Sequence, residues 1–303
     1  MANVYQMVTD RIVEQLNKGI IPWRKPWGGA ATEDGGAINY VSRKPYSMIN
    51  QMLLGKPGEW LSWKQVEELG GRVKKGAKAG MVVFYTKLTY IDKPQDAPEE
   101  EEGKVKTIPF LKYYNVFHLD DVEGVTTKIV PGEAPKVQPL EAAEKVIADY
   151  LSRQPALRFQ NDKPSNRAYY SPGQDMVVVP MLSQYDIPEE YYSTTFHELT
   201  HSTIPESRCD RRAENEHAFF GNADYSREEL VAEMGSAMLC NRTGIEVEKA
   251  FRNSVAYIQS WLKALKNDPK MIVWASSRAE KAARYIQGER EAKENDGITA
   301  IAA

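Results

Sequence analysis

The sequence predicts an α+β protein of two domains, a small α+β domain followed by a larger, helix-rich one, and three observations predict it. Two β-rich runs, 81–91 and 108–118, stand in a first third crowded with basic and aromatic residues. Helix-period patterns dominate from residue 139 onward, and one of them carries Phe196-His197-Glu198-Leu199-Thr200-His201. Between them, Pro131-Gly132-Glu133-Ala134-Pro135 reads as a linker. The expected division is 1–125 for the first domain, 126–137 for the linker, 138–290 for the second domain and 291–303 for a frayed tail. At 303 residues, 42% hydrophobic and 27% charged, the chain is long enough for two cores and ordinary for a soluble protein.

In chain order, Val4, Met7, Val8, Ile12, Val13 and Leu16 recur at helical spacing up to a stop at Gly19, a pattern of neither a signal peptide nor a membrane span. A short helix is expected to end at Gly70-Gly71, with Trp60 and Trp63 beside it as core residues. The two β runs follow, separated by Asp92 to Lys106, whose Glu99 to Glu102 charge run reads as a hairpin tip. In the second domain a helix opens at Pro139 to Leu151, and 168–180 reads as two short strands around Pro172-Gly173. The motif helix starts near Asp186, a cap candidate, with Pro188, Glu189 and Glu190 in its first turn. Ser202 to Asp224 reads as a long loop over the site, then a helix capped by Asp224 or Ser226, then two closing helices near 246–267 and 269–287.

The basic charge is segregated. Residues 11–90 hold 13 Lys and Arg against 6 Asp and Glu, a net of +7, in a chain whose total is −3. Trp23, Arg24, Lys25 and Trp27 lie in a Pro-bounded loop, followed by Tyr40, Arg43, Lys44 and Tyr46 and by the glycine-punctuated Arg72, Lys74, Lys75 and Lys78. Aromatic rings stack on unpaired bases while Lys and Arg follow phosphates, so these residues are the expected contacts for single-stranded DNA, largely without sequence choice. Cys209 and Cys240 form no metal pattern and no disulfide framework, and with no long apolar stretch the expected setting is the cytoplasm, away from membranes.

His197 and His201, four residues apart on a helix, present both rings on one face, where each can give a nitrogen to one metal ion. Glu198 beside them is suited to take a proton from a bound water, which is the H-E-x-x-H metalloprotease pattern with its mechanism. A sheet next to such a helix offers an edge to an extended peptide, which points to protein as substrate. The third ligand is expected from the helix after residue 226, where Glu229 and Glu233 share one face. One can bind the metal and the other can accept the second ring N–H of a histidine, with Glu228 the least favoured of the three. His217 is weighed as a surface residue, a ligand or a transition-state donor, and Tyr225 as an oxyanion stabiliser.

This region resembles thermolysin-like gluzincins, and the resemblance implies Glu229 as the ligand and Glu233 behind a histidine ring. The order Pro22 to Trp27, Tyr46 and Asn50, Val73-Lys74-Lys75-Gly76, then His197 to His201 and the Glu229/Glu233 helix resembles the ArdC-type antirestriction proteins across residues 1 to about 287. That resemblance implies a zincin-like second domain with Zn2+, or another divalent cation such as Mn2+, as cofactor. It further implies single-stranded DNA as partner, protection of incoming conjugative plasmid DNA, and a protein substrate in the host restriction or DNA-processing machinery. The competing expectation is a protein that protects DNA by occupancy, its metal site structural or latent. A protease cutting a transcription factor is disfavoured because the basic domain has no helix-turn-helix pattern.

Overall fold

The computed structural model describes residues 3–24, 36–92, 104–129, 139–211, 223–246 and 254–289. It is mixed α and β, in two units, as the sequence predicts. Helix α1 (Val4–Asn17) is capped by the Asn3 side chain, which accepts from Tyr5 N, and buries Val8, Ile12 and Leu16. A four-stranded sheet follows in the order β1-β2-β5-β4, where β1 is Ala37–Asn39, β2 Gly58–Ser62, β4 Gly80–Asp92 and β5 Lys104–His118. Strands β4 and β5 pair antiparallel from Gly80 opposite Val116 to Asp92 opposite Lys104, and the part of β5 before Val116 pairs with β4 alone, as a two-stranded ribbon. A small β3 (Arg72–Val73) to β6 (Val122–Glu123) pair lies apart from that sheet.

Helix α2 (Met48–Leu54) is absent from the sequence expectation, being too short for its periodicity to stand out. It is fixed by Asn50, whose amide donates to Val83 O at 2.9 Å and accepts from Val83 N at 2.7 Å. Helix α3 (Trp63–Glu68) begins at a capping box of Ser62 and Gln65. Trp60 is buried as expected, but Trp63 is 54% exposed, its indole nitrogen donating to Glu67.

The second unit stacks α4 (Pro139–Arg153), α5 (Pro188–Ser202), α6 (Ala223–Thr243), α7 (Ser254–Asn267) and α8 (Met271–Gln287) beside a three-stranded sheet ordered β7-β9-β8. The Pro-Gly turn joins β8 (Tyr169–Ser171) to β9 (Met176–Val178) as expected, while β7 (Arg158–Gln160), parallel to β9, is too short to be read from its pattern. Two boundaries differ. The cap of α5 is Ile187, not Asp186, with Pro188 in the first turn. Helix α6 starts at Ala223, so Asp224, Tyr225 and Ser226 lie inside its first turn.

The units share a core. Val8, Ile12, Trp23, Met52 and Val83 pack in one cluster with Leu230, Met234, Trp261, Leu265 and Ile272, so α6, α7 and α8 close the first unit as well as their own. A second cluster joins Tyr150, Val177, Phe196, Leu199, Leu239 and Ile286. Helix α6 contributes to both, which ties the N-terminal unit to the element that carries Glu229.

Candidate metal centre

Pro188 and two acids favour the start of α5, and its interior threonines are accommodated by back-bonding: Thr195 Oγ1 donates to Tyr191 O at 2.8 Å and Thr200 Oγ1 to Phe196 O at 2.7 Å. Phe196 and Leu199 are fully buried, which holds the opposite face of the helix toward α6. Gly235 sets how near α6 comes. A Cβ there would lie 2.6 Å from Thr200 Cγ2, so a side chain at this position would push the helices apart.

That crossing brings His197, His201 and Glu229 together, with one ligand atom of each within 4.8 Å of the others. The two Nε2 atoms are 3.1 Å apart, and the Glu229 oxygens lie 3.5 Å from His197 Nε2 and 3.4 Å from His201 Nε2. Ligands at about 2.0–2.1 Å from a tetrahedral cation stand about 3.3 Å from one another, so the residues present fit a divalent cation. Two imidazole nitrogens and one carboxylate oxygen also leave a fourth position for water or substrate. Glu198, largely buried, raises the proton affinity of both histidines through its charge.

Protonation follows from this packing. Burial opposes an imidazolium at His201, but the hydrogen bonds its ring donates to Glu228 and Glu229 outweigh it and raise its pKa to about 10. At His197 burial is likewise outweighed, chiefly by Glu229. Burial acts to raise the pKa of Glu229, and its contacts with the two histidines overcome that and hold its carboxyl well below the usual range.

The residue behind His201 differs from the expectation. His201 Nδ1 lies 3.3 Å from Glu228 Oε1, while Glu233 accepts from Arg24 Nη2 at 3.0 Å. Glu228 is gripped by Arg211, whose Nη2 and Nε donate to its two oxygens at 2.8 and 3.2 Å and whose remaining nitrogen donates to Thr203 Oγ1 at 2.7 Å. The correction has a geometric cause: α6 crosses α5 so that Glu228 faces His201, and Glu233, one turn beyond Glu229, meets the N-terminal unit instead. Neither Glu228 nor Arg211 carries a spacing signal, since their partners come from another element.

Several expected DNA contacts are also corrected. Trp23 is 1% exposed, edge-to-face with Trp261 at 6.5 Å, and Arg24 is buried against Glu233. Tyr40 is buried with its hydroxyl on Thr126 O and Lys128 over its ring, and Tyr46 is buried against Phe84. Trp23 is core because the first unit packs on α6, α7 and α8, whereas Tyr40 is buried within the first unit itself with Leu61, Val66 and Val122, and Tyr46 with Leu54, Trp60 and Val82. Arg43, Lys44, Arg72, Lys74, Lys75 and Lys78 are exposed. Arg43 pairs with Glu59, Arg72 with Glu123, and Lys74 donates to Asp120 O. Lys25, Trp27, His217 and the Tyr225 side chain lie outside the described residues.

Fold and site together define a zincin-like metallopeptidase domain behind an ArdC N-terminal domain: the zincin-like metallopeptidase family matches residues 147–278, and the N-terminal domain of anti-restriction factor ArdC matches residues 2–117. The antirestriction ArdC protein from the R388 plasmid is 32% identical, with 95% of this chain and 98% of that one covered; the TM-score is 0.70 to its metal-free structure and 0.68 to its Mn(II)-bound structure. The chain belongs to the ArdC antirestriction family. Two DNA primases TraC of Escherichia coli are 28% and 30% identical over 93% of this chain, which spans only 20% and 27% of their lengths. Among the described residues, no helix is long and apolar enough to cross a membrane.

Proposed function

We propose that the protein is an antirestriction factor that binds single-stranded DNA through its N-terminal unit and uses a divalent cation, zinc or manganese, at His197, His201 and Glu229 to act on a protein that would otherwise restrict incoming plasmid DNA. The observation that carries this reading is the convergence of those three side chains, with Glu198 alongside. That the R388 relative has a Mn(II)-bound structure supports a divalent cation as the ligand of this family. A cation held there would supply Lewis acidity toward a water and a peptide carbonyl.

The chain's own residues do the remaining work. Glu198 takes a proton from the attacking water onto its carboxylate and returns it to the departing amide nitrogen. Glu228 accepts from His201 Nδ1, which fixes the ring's tautomer, and Arg211 keeps that carboxylate in place. The exposed Lys44, Lys74, Lys75 and Lys78, with Arg43 and Arg72, supply positive potential for phosphates.

The test pairs conjugation into a restricting recipient with fluorescence anisotropy on single-stranded oligonucleotides, using the wild type and Glu198→Gln. The expected result is unchanged DNA binding and lost protection in the variant. Full protection by Glu198→Gln would sink the hydrolytic reading and leave protection by occupancy.

A further inference from the structure

The β4–β5 ribbon carries on one face aromatic side chains that the core covers only in part. Phe110, Lys112 and Tyr114 alternate along β5 and so project from one face, about 7 Å apart along the strand. Across the ribbon, Phe84 pairs in register with Lys112 and Val82 with Tyr114, which places Phe84 on the same face. The rings of Phe84 and Tyr114 meet edge-on at 5.9 Å, and buried Tyr46 backs Phe84 at 6.4 Å. Phe84, Phe110 and Tyr114 are 38%, 40% and 36% exposed.

A single exposed aromatic residue is unremarkable, but three partly exposed rings on one face mark a contact surface. Lys112 stands among them, exposed, and among the described residues no carboxylate lies within ion-pair distance of it. Flat rings interleaved with a free ammonium suit an occupant that offers both π-faces and negative charge. Single-stranded nucleic acid offers both, whereas duplex DNA hides its base faces. Lys112, with the exposed Lys74, Lys75 and Lys78 of the same unit, supplies the positive charge that phosphates require.

We infer that the Phe84, Phe110, Lys112 and Tyr114 face of the β4–β5 ribbon is the surface on which unpaired DNA bases stack, in place of the buried Trp23, Tyr40 and Tyr46. This rests on the reading that the N-terminal unit binds single-stranded DNA. It adds the site and the mode, with rings taking the bases and Lys112 a phosphate.

The experiment uses the full chain and an oligothymidylate carrying 5-iododeoxyuridine. Anisotropy is read against salt for the wild type, Phe84→Ala/Tyr114→Ala, Lys112→Ala and the conservative Phe84→Tyr/Tyr114→Phe, and photo-cross-links are mapped by mass spectrometry. The double alanine variant is expected to bind about tenfold or more weakly, since each stacked base is lost with its ring. Lys112→Ala should flatten the salt slope by about 0.7. Cross-links should fall on the ribbon, and the conservative pair should bind as wild type, which separates lost stacking from lost folding. Wild-type binding with unchanged affinity in the double alanine variant, or cross-links confined to other segments, would overturn the assignment. Equal affinity for duplex DNA would overturn the stacking mode. No binding of single strands by the wild type would instead remove the DNA-binding reading itself.

Discussion

Arg24 Nη2 lies 3.0 Å from Glu233 Oε2, and this buried ion pair joins the N-terminal unit to the helix that carries Glu229 four residues earlier. Removing one partner leaves a desolvated charge behind. Glu233→Leu or Arg24→Leu is therefore expected to destabilise the fold by about 3–5 kcal/mol, and the double variant by much less than the sum of the two. Denaturant unfolding of the four proteins measures this directly, and additive losses would show that the pair does not couple the units.

The Glu228 and Glu233 assignments are separable by metal affinity. If Glu228 orients His201, Glu228→Gln and Arg211→Ala should weaken Zn2+ or Mn2+ binding about 10–100-fold. Glu233→Gln, one turn away from the cluster, should leave affinity close to wild type after correction for stability. Titration calorimetry on the three variants decides it, and a larger loss at Glu233 than at Glu228 would reverse the assignment.

Metal loading should release protons. The folded pKa of His201 is raised from 6.5 to about 10, so the ion pairs it makes stabilise the metal-free fold fully below about pH 6.5 and are lost as pH rises through about 10. A cation competes for the same nitrogen and needs it deprotonated, so its affinity should climb with pH across that window. Calorimetry at pH 7.5 in buffers of different ionisation enthalpy should report proton release, and buffer-independent heats would show that the histidines are already neutral.

Gly235 sets the distance between α5 and α6. Gly235→Ala would place a methyl against Thr200, whose hydroxyl is tied to Phe196 O, so the side chain cannot swing away freely. Overpacking of this kind costs about 1–3 kcal/mol, and the same displacement should weaken cation binding. A thermal melt with and without Mn2+ reads both effects. An unchanged Tm would show that the helices have room.

Cation binding itself should raise stability by mass action, by about 2.7 kcal/mol at a hundredfold excess over Kd. His197→Ala/His201→Ala should abolish that increment while retaining the α5 fold, because both histidines sit on the face turned away from Phe196 and Leu199. A melt of the double variant that still responds to Mn2+ would place the ion elsewhere.

What the sequence by itself determined is what depends on local periodicity. His197 and His201 share a face because an α-helix repeats every 3.6 residues, and that spacing is visible without a fold. The long β runs of β4 and β5, α1 and the Pro-Gly turn between β8 and β9 were legible for the same reason.

The tertiary structure decided everything that depends on which elements meet. Glu228 and Glu233 are both acids on α6, and only the α5–α6 crossing at Gly235 turns the first toward His201 and leaves the second to Arg24. Trp23 resembles a surface stacking residue in its Pro-bounded loop, yet Trp261, far along the chain, covers it. Phe84 and Tyr114 remain partly exposed because the core cluster of Tyr46 and Val82 covers only one side of their rings. Burial of an aromatic ring depends on the surface brought against it, and that surface comes from residues distant in sequence.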